Sequence, residues 1–165
     1  MDEGGIVQLV NLIEEDFTNY KKPSLFLGFP KCSGKCNRLN GKIVCQNEAL
    51  KNAEKVEIPA EEIVKRYINN NISEALVCGG LEPFDSFDDL LELIAAFRKV
   101  TNDDIVIYTG FTENEIKNSI WYPQLLQYSN IIIKFGRYLE GHRPHFDNTL
   151  EVYLASNNQY ARPIS

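Results

Sequence analysis

Four short, unbroken apolar runs punctuate the chain: Leu25-Phe26-Leu27, Ala75-Leu76-Val77-Cys78, Ile105-Val106-Ile107-Tyr108 and Ile131-Ile132-Ile133. Runs of this length without polar alternation predict strands covered on both faces, as in a parallel sheet. Glu151-Val152-Tyr153-Leu154 is a fifth candidate strand. Between the runs the apolar spacing changes. Ile6, Leu9, Val10 and Ile13 fall on one helical face, which predicts an N-terminal helical segment within residues 1–20. Pro59 followed by Glu61 and Glu62 predicts a helix start, because proline suits the first turn and acids favour the positive dipole end. That helix is expected to run to about Asn69. Ser86 and Asp89 read as a capping-box variant ahead of Leu90, Leu91, Ile94 and Phe97, and Thr112 with Glu115 as a second capping box.

Alternating strands and helices predict an α/β fold with mainly parallel strands. Four or five strands are too few for a closed barrel of about 250 residues, so a partial, open (β/α) barrel is expected. The whole chain, 1–165, reads as one domain without linkers or repeats.

Composition narrows the function. Hydrophobic residues make up 44% and charged residues 24%, with a formal net charge of −6. This is ordinary globular composition. The acidic balance gives no long-range attraction to nucleic acid or anionic membrane, so neither is expected as a partner. No apolar run approaches the roughly 18 residues of a membrane span, and the acidic start is unlike a secretory signal. A cytoplasmic location is expected, where thiols stay reduced.

The cysteines then become informative. Cys32, Cys36 and Cys45 share a loop, residues 30–47, directly after the first predicted strand, and Asn40-Gly41 supplies a turn within it. Such a loop lies where parallel α/β proteins place reactive sites. Three readings fit. Zinc needs a fourth ligand, from Cys78, His142 or His145. An iron–sulfur cluster held by three thiolates leaves one iron open. Alternatively the cysteines are small core hydrophobes. Cys78, inside an apolar run, reads as buried, and His142 and His145 as surface residues. Lys21, Lys22, Lys31 and Lys35 are expected to flank the loop.

Cys32-x3-Cys36 after the first strand resembles the opening of the radical S-adenosylmethionine motif. Gly79-Gly80-Leu81-Glu82-Pro83 after the second resembles that superfamily's Gly-Gly-Glu-Pro motif. Within the superfamily the sequence is most like the anaerobic ribonucleotide reductase activating proteins. The further matches are Ser24 to Gly28, Ile107 to Phe111, and Ser156 to Gln159. Three departures mark a divergent branch. Cys45 stands farther from Cys36 than the superfamily pattern has it, Leu81 is an extra residue, and Lys134-Phe135-Gly136 replaces an Asp-Gly element.

The resemblance implies a 4Fe-4S cluster on Cys32, Cys36 and Cys45. It also implies S-adenosyl-L-methionine held by Gly79, Gly80, Glu82 and Pro83, with Thr109 and Gly110 beside the adenosine and Asn158 and Gln159 closing the site. The activity implied is an oxidoreductase of the activating type. It would form a 5′-deoxyadenosyl radical that takes hydrogen from a glycine of a partner glycyl radical enzyme, the anaerobic ribonucleoside-triphosphate reductase. Flavodoxin or ferredoxin would supply electrons. A different macromolecular substrate, or a non-catalytic iron–sulfur or zinc module, are the alternatives. Read from residues alone, Gly79-Gly80, Thr109-Gly110 and Asn158-Gln159 are equally ordinary turn chemistry, and Glu82 a solvated turn residue.

Overall fold

A computed structural model describes residues 5–32 and 53–165. Its centre is a six-stranded sheet. The four apolar runs form its interior: β3 (Ser24–Phe29), β5 (Ala75–Gly80), β6 (Ile105–Tyr108) and β7 (Ile131–Phe135). They pair in parallel, β3 to β5 to β6 to β7. Two antiparallel edges complete the sheet. β2 (Asn11–Asp16) lies beside β3, and β10 (Tyr160–Pro163) beside β7. The sheet is open, as expected, and mixed α/β in class.

The apolar runs are continuous because both faces are covered. One face carries Leu25, Leu27, Leu76, Cys78, Ile105, Ile107, Ile131 and Ile133 into a core shared with the helices α1 (Ala60–Asn69) and α2 (Phe87–Arg98). The opposite face carries Ala75, Val77, Val106, Ile132 and Ala161, packed with Tyr20, Leu150 and Leu154. Among the described residues no helix is long and apolar enough to cross a membrane.

The N-terminal helical segment is not found. Residues 6–16 form two strands instead. β1 (Ile6–Leu9) pairs antiparallel with β4 (Val56–Pro59), and β2 follows after a break at Val10. Val7 and Leu9 are buried while Ile6 is 59% exposed, which is the period of a strand. The β-branched Ile6, Val7, Val10 and Ile13 favour extended backbone. The fifth candidate strand exists as β9 (Val152–Leu154), but it pairs with β8 (His145–Asp147) outside the main sheet.

The helix after Pro59 runs from Ala60 to Asn69 as expected, with Pro59 at its N-cap. Thr112 and Glu115 make the expected capping box at the start of α3 (Glu113–Lys117), which is followed by α4 (Trp121–Leu125). The Ser86 variant does not form. Asp89 Oδ2 accepts the Gln8 N–H at 3.0 Å instead, and the Ser86 hydroxyl is buried without a hydrogen-bond partner among the described residues.

Candidate functional site

Parallel strands put all four C-terminal ends on one edge of the sheet, and the chemistry-bearing loops leave from that edge. β3 leads through Pro30 and Lys31 to Cys32, which is half-buried. β5 leads into Gly79-Gly80-Leu81-Glu82. The two segments stay paired past their strands. Gly28 is opposite Gly79 and Phe29 opposite Gly80. Then the Leu81 N–H donates to the Phe29 carbonyl at 3.1 Å and the Glu82 N–H to the Lys31 carbonyl at 2.8 Å. The first cysteine thus leaves the sheet beside the glycine motif. Cys36 and Cys45, with the rest of the loop through residue 47, lie outside the described residues, as does Lys35.

Gly80 has a positive φ of 83°, and a Cβ there would lie 2.6 Å from Gly28 Cα and 2.8 Å from Phe29 N. Only glycine fits where two backbones approach this closely. A Cβ on Gly79 would instead point between Phe26 and Tyr108, 3.2 Å from the phenylalanine ring. Its absence opens the floor of a cleft of 370 Å³ on the sheet face opposite the helices. Strand alternation supplies the rest of that floor. Phe26, Gly79, Tyr108 and Lys134 come from four neighbouring strands, and Tyr108 is directly opposite Lys134. The segment Thr18-Asn19 forms one wall, tied down by a 2.5 Å hydrogen bond from the Tyr108 hydroxyl to the Asn19 carbonyl. The β9 residues Val152 to Leu154 form the other.

Glu82 is 3% exposed and does not line the cleft. Its Oε1 accepts the Gly110 N–H at 2.8 Å, its Oε2 accepts the Phe84 N–H at 3.2 Å, and the Thr109 hydroxyl donates to the same carboxyl at 2.9 Å. Every one of these groups is a donor, which suits an acceptor-only carboxylate. Glu82 therefore joins the end of β5 to the end of β6 and is not a solvated turn residue. Pro83 is buried at the start of the 3-10 turn Pro83–Ser86. Thr109 and Gly110 line the cleft.

The C-terminal residues divide in the same way. Gln159 lines the cleft and donates through Nε2 to the Gly136 carbonyl at 3.2 Å. Asn158 turns away and closes the loop, donating to the Arg137 carbonyl at 2.8 Å and accepting from the Ser156 hydroxyl at 2.6 Å.

Cys78 is fully buried in the helix-side core, and burial pushes its thiol far above the usual range. It faces away from the cleft. His142 holds Asn157 Oδ1 at 2.6 Å, and His145 Nε2 meets the Gln159 carbonyl. Among the described residues no group of three or more His, Cys, Asp or Glu side chains is placed to hold a metal. Lys21 and Lys22 lie away from Cys32, the described residue of the cysteine loop. They precede β3, at the far end of the strand from Cys32, and pair with Glu151 at 3.8 Å and Asp104 at 3.2 Å.

The family described as a 4Fe-4S single cluster domain matches residues 23–160. The chain belongs to that family. No curated protein matches it. The matched span starts just before β3 and ends at the first residue of β10, so it takes in the parallel strands and all of the cleft lining except Thr18 and Asn19. Cysteine sulfur is the usual iron–sulfur ligand, and among the described residues Cys32 is the cysteine that lies at the strand ends.

Two cleft residues carry no sequence signal of their own. Tyr108 ends an apolar strand and Lys134 interrupts one. Knowing that β7 turns Ile132 and Lys134 to the inner face would have found the lysine.

Proposed function

We propose that this 4Fe-4S domain is a radical S-adenosylmethionine enzyme of the activating type. The observation that carries the reading is the continued pairing of Phe29 to Lys31 with Gly80 to Glu82, which brings the chain to Cys32 alongside the end of the glycine motif. In this reading Cys32, Cys36 and Cys45 hold the cluster. Gly79 and Gly80 let the ligand approach the β5 backbone, whose carbonyls receive the methionine ammonium. Thr109, Gly110 and Gln159 border the adenosine. Glu82, with Pro83 behind it, and Asn158 act through the backbone they fix. When bound, the cluster would supply the one electron needed for reductive cleavage of the sulfonium to methionine, and the hydrogen atom taken up by the adenosyl carbon would come from glycine. The walls from Thr18-Asn19 and β9 restrict water over the floor, which a reactive radical requires.

The substrate is a glycine of a partner glycyl radical enzyme, with anaerobic ribonucleoside-triphosphate reductase favoured by the sequence resemblance. Exposed aromatic residues near the cleft support a macromolecular partner. Phe17 is 64% and Tyr153 74% exposed, and Tyr153 stacks edge-on with Phe146 at 5.3 Å. Such rings are frequent at interfaces. A flavodoxin or ferredoxin is the expected electron donor. The test is electron paramagnetic resonance of the reductase after anaerobic incubation with reconstituted protein, S-adenosylmethionine and reductant. A glycyl radical doublet is expected. Its absence on an otherwise competent reductase removes that partner.

A further inference from the structure

The helix layer carries a groove of 420 Å³ between α1 and α2, on the opposite side of the sheet from the cleft. Each helix returns the chain to the start of a parallel strand, α1 to β5 and α2 to β6, so the two run in the same direction. Gly5 sets their register. Its carbonyl accepts the Ala60 N–H at 2.9 Å and its N–H donates to Glu92 Oε1, so Ala60 stands near the level of Glu92. Four residues on, Val64 is level with Ala96. After four more, Ile68 is level with Val100, just past the end of α2. Positions spaced by four form a ridge on each helix, and the groove lies between the two ridges. Ile68 is 51% and Val100 53% exposed, so both ridges carry apolar surface into solvent. The charged residues of the groove are sorted along its length. Glu61 and Glu92 stand toward the end where α1 begins, and Lys65 and Lys99 farther along.

We propose that this groove is the interface of a two-fold dimer, with a second copy of the chain as its occupant. The proposal does not depend on the cofactor reading above. A two-fold interface brings a surface against itself. Two helix layers packed face to face have two simple ways to do so. With the axis along the helices, acidic end meets acidic end and lysines meet lysines. With the axis across the helices, each helix packs antiparallel on its own copy, and acid meets base. The charges therefore select the second arrangement, and the register supports it. Ile63 is midway between Glu61 and Lys65, and Ala95-Ala96 is midway between Glu92 and Lys99. In the Gly5 register these midpoints share a level to within one residue, about 1.5 Å along a helix. One axis thus sets Glu61 against Lys65 of the second copy and Glu92 against its Lys99. The half-buried Ala95 and Ala96 lie at the crossing, where small side chains let the two layers approach closely. The helices have 10 and 12 residues. Their common face, roughly 15–18 Å long, is small beside a standard interface of about 800 Å² per partner. The dimer is accordingly weak, and both clefts face outward from it.

The test is sedimentation equilibrium of the cluster-reconstituted full chain under anaerobic conditions, from about 1 to 500 µM. Wild type is expected to pass from monomer to dimer across this range. Ala95→Glu brings two carboxylates together at the crossing and should leave a monomer throughout. Val100→Glu, at an exposed position, repeats the comparison if Ala95→Glu does not fold, with circular dichroism as the check. Lys65→Glu is expected to weaken the dimer by about 3- to 10-fold, because the two-fold axis applies the substitution twice. Adding Glu61→Lys reverses the pair and should return the affinity to within about three-fold of wild type. A wild-type chain that stays monomeric overturns the proposal. So does a dimer that Ala95→Glu and Val100→Glu leave intact, since it uses another face. A dimer unmoved by Lys65→Glu, or weakened by it and not restored with Glu61→Lys, overturns the antiparallel pairing that selects a second copy as the occupant.

Discussion

The carboxyl group of Glu82 holds the backbone amide of Gly110 at 2.8 Å, across 28 positions of sequence. The same group takes the Thr109 hydroxyl and the Phe84 amide. One buried side chain thus fixes the ends of two adjacent parallel strands, each of which lines the cleft. Glu82→Ala leaves these donors buried without an acceptor. A loss of about 2–4 kcal/mol in stability is expected, measured by urea unfolding. Glu82→Gln keeps one acceptor oxygen and should lose less. A double-mutant cycle with Thr109→Val should give a coupling of about 0.5–3 kcal/mol. An additive pair would contradict the clamp.

The two glycines of the motif should respond differently to alanine. At Gly80 the new Cβ meets the β3 backbone at 2.6 Å and the φ of 83° strains any L residue. Gly80→Ala is expected to cost at least about 2–3 kcal/mol and to lower the thermal midpoint sharply. At Gly79 the added methyl meets the Phe26 ring at 3.2 Å, inside the cleft. Gly79→Ala should fold with nearly wild-type stability and bind the small ligand more weakly. Equal unfolding midpoints for the two variants would contradict this division.

The cysteines should separate by iron content. Cys78 is buried among helix-side core residues and its thiol stays protonated. Cys78→Ala is expected to load iron as wild type does, at a cost of about 1 kcal/mol in packing. Cys78 should also resist alkylation in the native protein at neutral pH. Cys32→Ala, at the rim, is expected to lose the cluster. Full iron loading in Cys32→Ala would move the ligand set elsewhere.

How far the sequence was readable follows from what packs on each segment. The four central strands were legible because both of their faces are buried, so nearly every position is apolar, with Ser24 and Lys134 the polar ones. The first strands were not. Ile6, Leu9, Val10 and Ile13 match a helical spacing, and β1, at four residues, is too short to display its alternation. β10 was hidden by Arg162 and Pro163, which an edge strand tolerates and an interior one does not. At the site, Gly80 announced itself because backbone proximity leaves no other residue type. Glu82 did not, since its partners are set by the lateral neighbour of its strand. Lys134 did not, since a lone lysine in a strand normally marks a solvent face.

Acid should weaken one outer link of the site. Arg137 holds Glu115 through two 2.8 Å hydrogen bonds and brings its carboxyl down to about 2. The folded-state value lies below the unfolded one near 4.5. The pair therefore contributes fully above about pH 4.5, and the contribution is lost as pH falls from there toward about 2. Glu115 is 41% exposed, so solvent screening limits the effect to about 1 kcal/mol or less. Glu115→Gln should flatten this part of the stability–pH curve. An unchanged acid slope would place the acid sensitivity elsewhere.

The central claim is radical chemistry on a 4Fe-4S centre, and reductive cleavage of S-adenosylmethionine by the anaerobically reconstituted protein tests it most directly. The expected result is a brown protein with about four irons per chain that forms 5′-deoxyadenosine and methionine in equal amounts once reduced. A chain that takes up the irons, is reduced, and forms no 5′-deoxyadenosine would contradict it.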